Sequence, residues 1–270
     1  MTSRLDVALV ERGLARSRTA AAAAIAAGRV RVDGRAEGRP SRRVSDEDEV
    51  LVEPDAGWVG RAAGKLDAAL EAFGVQVGGK DALDLGASTG GFTQVLLRRG
   101  AARVVALDVG HDQLVPELRD DARVVVVEGE NARTLTAARL AALTGSDEPP
   151  GVVVADLSFI SLRLVLPEIA AVAAADADVV LLVKPQFEVG RSRVHGGVVT
   201  DPADREEAVR GVLDAAAAVG LRTAGVVGST VSGQEGNREV LVHLHAARGS
   251  DPAEWDQILR QVVRGPREAG

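Results

Sequence analysis

From residue 81 onward the chain alternates short apolar runs with longer mixed segments. The runs at 82–85, 104–107, 124–127, 152–155, 179–183, 223–227 and 240–245 are rich in Val, Leu and Ala, as expected of strands covered on both faces. Helix-forming stretches lie between most of them, the longest at 201–219. That alternation predicts an α/β fold on a mostly parallel, doubly wound sheet of seven strands. The last two runs lack a long intervening helix, which predicts a terminal antiparallel hairpin. Residues 251–263 predict a closing helix.

The first 54 residues follow another rhythm. Leu5, Leu9 and Leu14 mark a first helix ending at Gly13, and Ser17 caps a second, Ala-rich helix that runs to Ala27 and stops at Gly28. Val30 and Val32 then alternate with Arg29, Arg31 and Asp33 before Gly34, a half-buried strand and its turn. Residues 50–52 close this small α+β unit. The segment 55–65 around Trp58 reads as a linker, and 66–73 as the helix entering a larger domain over 66–270.

Composition narrows the picture. With 46% hydrophobic residues in 270, the chain can bury a sizeable core. Aromatics are only 2% and Tyr is absent, so aliphatic residues fill that core and nucleic-acid binding by ring stacking is limited. The lack of Cys excludes disulfides and thiolate metal sites, and four scattered His predict no metal centre. The apolar stretch 169–183 is broken by Asp176 and Asp178 and is too short to span a bilayer. The N-terminus has no signal-peptide core, so a cytoplasmic protein without a membrane partner is expected. Residues 1–45 hold ten Arg against four acids, a surplus of six positive charges, and the net charge of −7 leaves thirteen surplus negatives on the rest. A basic head on an acidic body suits a polyanion, or is an ordinary solvated surface.

The strongest motif is Asp84-Leu85-Gly86-Ala87-Ser88-Thr89-Gly90-Gly91-Phe92-Thr93, placed after a strand and opening a helix. Its glycines allow a tight turn and close backbone approach, and the helix start supplies free N–H groups. The spacing differs from the dinucleotide fingerprint, and an acid at Asp84 suits the ammonium of a methionine moiety better than a pyrophosphate. S-adenosylmethionine is thus expected ahead of NAD. Asp108 ends the next strand, where an acid meets ribose hydroxyls, and Asn131 follows the third, beside an adenine; alternatively they are a helix cap and a turn residue. Asp156-Leu157-Ser158-Phe159 and Lys184-Pro185-Gln186-Phe187-Glu188 stand at adjacent strand ends that face the ligand crevice, as a functional pair or a plain salt bridge. Glu239 opens the last strand and Lys65 precedes the domain's first helix.

Two resemblances sharpen these readings. Arg4-Leu5-Asp6 with Leu9, Gly13, Ser17-Arg18, Ala20, Ile25, Gly28, Val30, Val32 and Gly34 resembles the S4 RNA-binding domain. That implies Arg4, Arg16, Arg18, Arg29, Arg31, Arg42 and Arg43 as phosphate contacts, which give affinity rather than sequence readout. Over its whole length, through ASTGGFT, ADLSFISL and VKPQFEVG, the chain resembles the TlyA family, an S4 domain fused to an FtsJ-like Rossmann-like methyltransferase. The resemblance implies methylation of a cytidine ribose 2'-oxygen in 16S and/or 23S ribosomal RNA. It places a Lys-Asp-Lys-Glu tetrad on Lys65, Asp156, Lys184 and Glu239, with Lys184 as base or charge stabiliser. Three departures accompany it: Ala56-Gly57-Trp58-Val59 lacks the family's leading Arg, Gly60–Lys65 is altered, and Val240 replaces an aromatic.

Overall fold

The computed structural model describes residues 2–52, 57–231, 233 and 236–264, so Ala56 of the altered linker lies outside the described residues. Strand β1 (Thr2–Arg4) runs into helix α1 (Leu5–Glu11), and α2 (Arg18–Ala26) follows. Ser17 sets the start of α2: its hydroxyl accepts a hydrogen bond from the Ala20 N–H, one of the donors a new helix leaves free. Four short strands follow: β2 (Val30–Val32), β3 (Arg35–Ala36), β4 (Arg43–Ser45) and β5 (Val50–Val52). β2 pairs antiparallel with β3 and β5, and β4 pairs with β1. Leu5, Leu9, Ile25, Val30, Val32 and Val44 form a separate small core. The helix pair, β2 and β5 match the sequence pattern. The strands β1, β3 and β4 lie outside it, because two or three residues flanked by arginine offer no alternation to read.

Helix α3 spans Arg61–Phe73, so it begins within the segment expected as linker over 55–65. Gly60, extended at φ −167°, precedes it. Two glycines around Arg61-Ala62-Ala63 look like loop, yet burial of Ala63, Lys65 and Leu66 recruits this turn into the helix. Lys65 is therefore a helical residue.

The larger unit continues as β6 (Asp81–Leu85), α4 (Gly91–Arg98), β7 (Arg103–Asp108), α5 (Pro116–Arg119), β8 (Val124–Glu128), α6 (Ala137–Thr144), β9 (Val152–Ala155) and α7 (Leu166–Val172). It ends with β10 (Asp178–Val183), α8 (Pro185–Glu188), α9 (Pro202–Ala218), β11 (Arg222–Gly228), β12 (Val240–His245) and α10 (Asp256–Arg264). Seven strands make one sheet in the order β11-β12-β10-β9-β6-β7-β8. The run β8 to β10 is parallel, while β12 lies antiparallel between β10 and β11, the expected hairpin.

Successive side chains of a strand face opposite sides, and the two core layers divide accordingly. Val153, Leu181 and Val183 pack with Val209 and Val212 of α9. Val152, Val154, Val180 and Leu182 pack with Leu66 and Leu70 of α3 and Val95 and Leu96 of α4. At the start of β10, Asp178 meets His243 at 2.9 Å, Lys80 at 3.0 Å and Arg248 at 2.7 Å. Burial opposes its charge, but hydrogen bonds from His243 and Lys80 and the charges of Lys80 and Arg248 hold its carboxyl well below the usual range. This cluster ties β12 to β10 at the end of the sheet remote from the strand tips. The chain runs outward from β6 through β7 to β8 and then crosses back to place β9 on the other side of β6, and the crevice outside the carboxyl ends at such a reversal is where open α/β sheets take ligands.

Candidate active site

The tips of β6, β9 and β10, with the first turn of α3, surround a cleft of about 810 Å³. Gly86 has φ +83°, and a Cβ there would lie 2.8 Å from the backbone oxygen of Asp156. Only glycine lets the loop cross the tip of β9 so closely. Gly90 enters α4 at φ +100°, where a methyl group would meet Leu118 at 2.3 Å. The loop consequently lies flat against its neighbours and turns its backbone towards the cleft.

Gly86, Ser88, Thr89, Gly91, Phe92 and Asp156 line that cleft. Asp84 lies beneath the loop, fully buried, and accepts a hydrogen bond from Thr93 Oγ1 at 2.7 Å. Burial pushes its carboxyl up to about 7, against the Thr93 hydrogen bond and with help from the charge of Asp156. Its other oxygen, Oδ1, is buried with no hydrogen-bond partner. An orphaned carboxylate oxygen under a glycine loop fits a ligand that brings a cationic donor. Asp108 does not cap a helix. Its oxygens accept from the N–H groups of Ser88 at 2.8 Å and Gly110 at 2.7 Å, which clasps the loop and leaves further lone pairs for hydroxyl donors. Asn131 is exposed and caps a short 3₁₀ turn, accepting from the Arg133 N–H at 3.0 Å, the turn role open to it in the sequence.

The four chemistry-bearing residues come together. Pro185 stops β10 and starts α8, leaving Lys184 extended at its tip. Its Nζ lies 2.6 Å from Asp156 Oδ1 and donates to Ser158 Oγ at 2.8 Å. Lys65, on the buried face of α3, pairs with Glu239 just before β12. All four side chains line the one cleft, the second pair more deeply than the first. Asn237 fixes the approach to Glu239, its side chain bonding the backbone of Gly197 at 2.7 Å and Val199 at 2.9 Å.

Sequence reasoning gave no role to two residues here, Ser158 and Arg61, and named Phe159 and Phe187 only as candidate stacking partners for a base. Ser158 accepts a hydrogen bond from Lys184 beside the ion pair with Asp156. Arg61, one turn before Lys65 on α3, lines the cleft where Ala26 and Gly38 of the N-terminal unit form its wall. Phe159 is 91% exposed, with its ring centre 5.3 Å from that of Phe187. Periodicity does not reveal a loop residue such as Ser158 or a first-turn residue such as Arg61; their place within the motifs around Asp156 and Lys65 was the available signal.

The arginines of the N-terminal unit are organised by two buried acids. Asp6 binds Arg4 and Arg18, each at 2.9 Å, and Glu37 binds Arg42 at 2.9 Å and Arg39 at 3.1 Å. The hydrogen bond from Arg4 leads in holding the Asp6 carboxyl down at about 2. Arg31 and Arg43 donate to the backbone of Gly34 and Thr2, Arg16 is exposed, and Arg29 is half-buried. Arg12 is a brace rather than a surface cation, donating to the carbonyls of Asp48 and Ser45. Between the units Trp58 carries Arg98 over its ring at 4.2 Å, and Gln94 bonds both Gly57 and Val59 at 2.9 Å. The chain segment joining the two units is thereby docked on α4, the helix that the glycine loop opens.

Comparison with known proteins adds the following. The FtsJ-like methyltransferase model matches residues 58–246 and the S4 domain model residues 3–50. The 16S/23S rRNA (cytidine-2'-O)-methyltransferase TlyA of Mycobacterium tuberculosis is 48% identical, with 98% of each chain covered. Hemolysin A of Brachyspira hyodysenteriae is 39% identical, covering 89% of this chain and 99% of its own. A solved hemolysin candidate from Streptococcus thermophilus superposes with a TM-score of 0.74 at 34% identity, covering 97% of this chain and 94% of that one. Among the described residues no helix is long and apolar enough to cross a membrane.

Proposed function

The chain belongs to the TlyA family of FtsJ-like methyltransferases, and from that premise we propose that it methylates the ribose 2'-oxygen of cytidine in ribosomal RNA. The substrate is 16S RNA, 23S RNA or both, met in the cytoplasm as RNA or ribosomal subunits. The observation that carries this reading is the Asp156–Lys184 pair at adjacent strand tips, in the same cleft as Lys65 and Glu239 and beside the glycine loop.

S-adenosylmethionine, when bound, supplies a methyl group already activated on a sulfonium. The chain's residues therefore mainly bind and align. Gly86, Ser88, Thr89, Gly90 and Gly91 would form the close-approaching loop that carries the donor, the N–H groups of Gly86, Ser88 and Gly90 being engaged on Leu107, Asp108 and Ala87; Phe92 and Thr93 would support the loop, and Asp84 would face the ammonium. Asp108 would take the ribose hydroxyls and Asn131 the adenine side. Lys184, ion-paired with Asp156 and donating one hydrogen bond to Ser158, keeps a donor for the RNA 2'-oxygen and stabilises negative charge developing there. The 2'-proton, increasingly acidic as the oxygen is alkylated, passes to the Asp156 carboxylate. Lys65 and Glu239 orient the ribose from the deeper side. A helical target nucleotide must be extruded to reach this cleft, and Phe159 at its rim offers the base a stacking face. Arg4, Arg16, Arg18, Arg29, Arg31, Arg42 and Arg43 would grip RNA phosphates, so binding weakens as salt rises.

Tritiated-methyl transfer to ribosomal subunits, followed by mapping of methylated riboses, tests the proposal. Lys184→Ala should reduce transfer by about 10²–10³ or more, with cofactor affinity nearly unchanged; full activity in that variant would refute the role.

A further inference from the structure

Glu188 is a buried acid that follows the cleft-lining residues Gln186 and Phe187, and the transfer chemistry gives it no part. It ends α8, four residues after Lys184, and is only 7% exposed. Its carboxylate bonds the loop that follows Asp156: Oε2 accepts from the Ser161 hydroxyl at 2.5 Å, and Oε1 accepts from the Leu162 N–H at 2.7 Å. Arg163 completes the junction, donating to the Glu188 carbonyl at 2.9 Å and standing 3.4 Å from its carboxylate. On the same short helix, Phe187 touches Phe159 of that loop.

Phe159 has an unusual backbone. Its φ of +64° lies in the left-handed region that bulky residues avoid, and its ring stands almost wholly in solvent. A loop holding an aromatic residue in that conformation relaxes unless its surroundings over-determine it. The bonds from Glu188 fall two and three residues after Phe159 and supply that restraint. An exposed ring fixed in advance would receive a base without the entropy cost of ordering the loop on binding.

We propose that Glu188 is a positioning residue that fastens the 156–162 loop to the turn carrying Lys184, and so presents Phe159 as a preformed shelf for the extruded target base. This rests on the cleft being an RNA methyl-transfer site. The lost restraint involves hydrogen bonds to a charged acceptor, so Glu188→Ala should lower kcat/KM by about 10- to 100-fold.

The test is a double-mutant cycle on the full chain, using an rRNA fragment with its target cytidine in a helix. A 2-aminopurine beside the target reports extrusion. Glu188→Ala and Phe159→Ala should each lower kcat/KM and damp the fluorescence rise, while calorimetric affinity for S-adenosylhomocysteine is unchanged. Glu188→Gln, which keeps an acceptor for Leu162, should recover most of the loss. In the Phe159→Ala background, Glu188→Ala should add less than about twofold, as expected for residues acting as one unit. Additive losses, or a Glu188→Ala variant with native extrusion and rate, overturn the proposal, as does full activity in Phe159→Ala. If Glu188→Ala does not fold, Ser161→Ala enters the same cycle with the same expected non-additivity. Absence of transfer by the native protein would instead strike the methyl-transfer reading itself.

Discussion

Replacing Lys65 by Met leaves Glu239 without its counter-charge at a place where the two side chains are 5% and 3% exposed. Methionine nearly matches the volume of lysine and adapts to irregular space, so the loss is chiefly electrostatic. Removing one partner of a buried pair costs about 3–5 kcal/mol, whereas replacing both is often close to neutral. In a domain of 150–250 residues each kcal/mol moves the melting midpoint by about 2–4 °C, so Lys65→Met should lower Tm by about 6–20 °C. The double variant Lys65→Met/Glu239→Gln should regain at least half of that. Melting followed by circular dichroism measures the stability, and tritiated-methyl transfer well below every midpoint measures the activity. Stability and activity should part company: the double variant recovers stability and stays inactive. A double variant melting as low as the single one would show that stranded charge is not the cost. Activity returning with stability would make the pair scaffolding rather than chemistry.

Two further outcomes follow from the glycine loop. Because burial raises Asp84 to about 7, above an unfolded value near 4, the fold favours its protonated form; its stabilising contribution is complete at low pH and fades as pH climbs from about 4 towards 7. Affinity for a cationic ligand runs the opposite way, so S-adenosylhomocysteine should bind about tenfold more tightly at pH 8 than at pH 6 by calorimetry, and Asp84→Asn should flatten that dependence. Gly86→Ala combines a positive φ with a Cβ 2.8 Å from the Asp156 oxygen, so it should cost about 2–5 kcal/mol and cut methyl transfer by at least about tenfold; native melting and rate in that variant would contradict the packing argument.

The sheet was legible in sequence because its strands are buried on both faces. Runs such as 152–155 and 179–183 carry that burial openly, and even the final hairpin shows as a missing helix. The first turn of α3 was not legible, since glycines flank it and its helical state comes from packing Lys65 and Ala63 inward. Asp84, Asp156, Lys184 and Glu239 could be placed because strand ends fix where side chains emerge. The partners of those residues could not: Ser158 on Lys184, Thr93 on Asp84 and Glu188 on Ser161 depend on loop conformation, which no periodic pattern encodes. The arginine-rich head was visible as a count, but its pairing with Asp6 and Glu37 was not.

That pairing changes what the basic head can discriminate. A freely rotating arginine follows any phosphate within reach, and a cluster of them answers mainly to charge density. Here each buried carboxylate tethers two guanidinium groups, so their outer faces point along set directions at set spacings. Under the proposed RNA reading, such a surface should sort polyanions by the geometry of their backbones: in filter-binding competition a folded RNA whose phosphates match the spacing should be retained against heparin or an unstructured strand of equal charge.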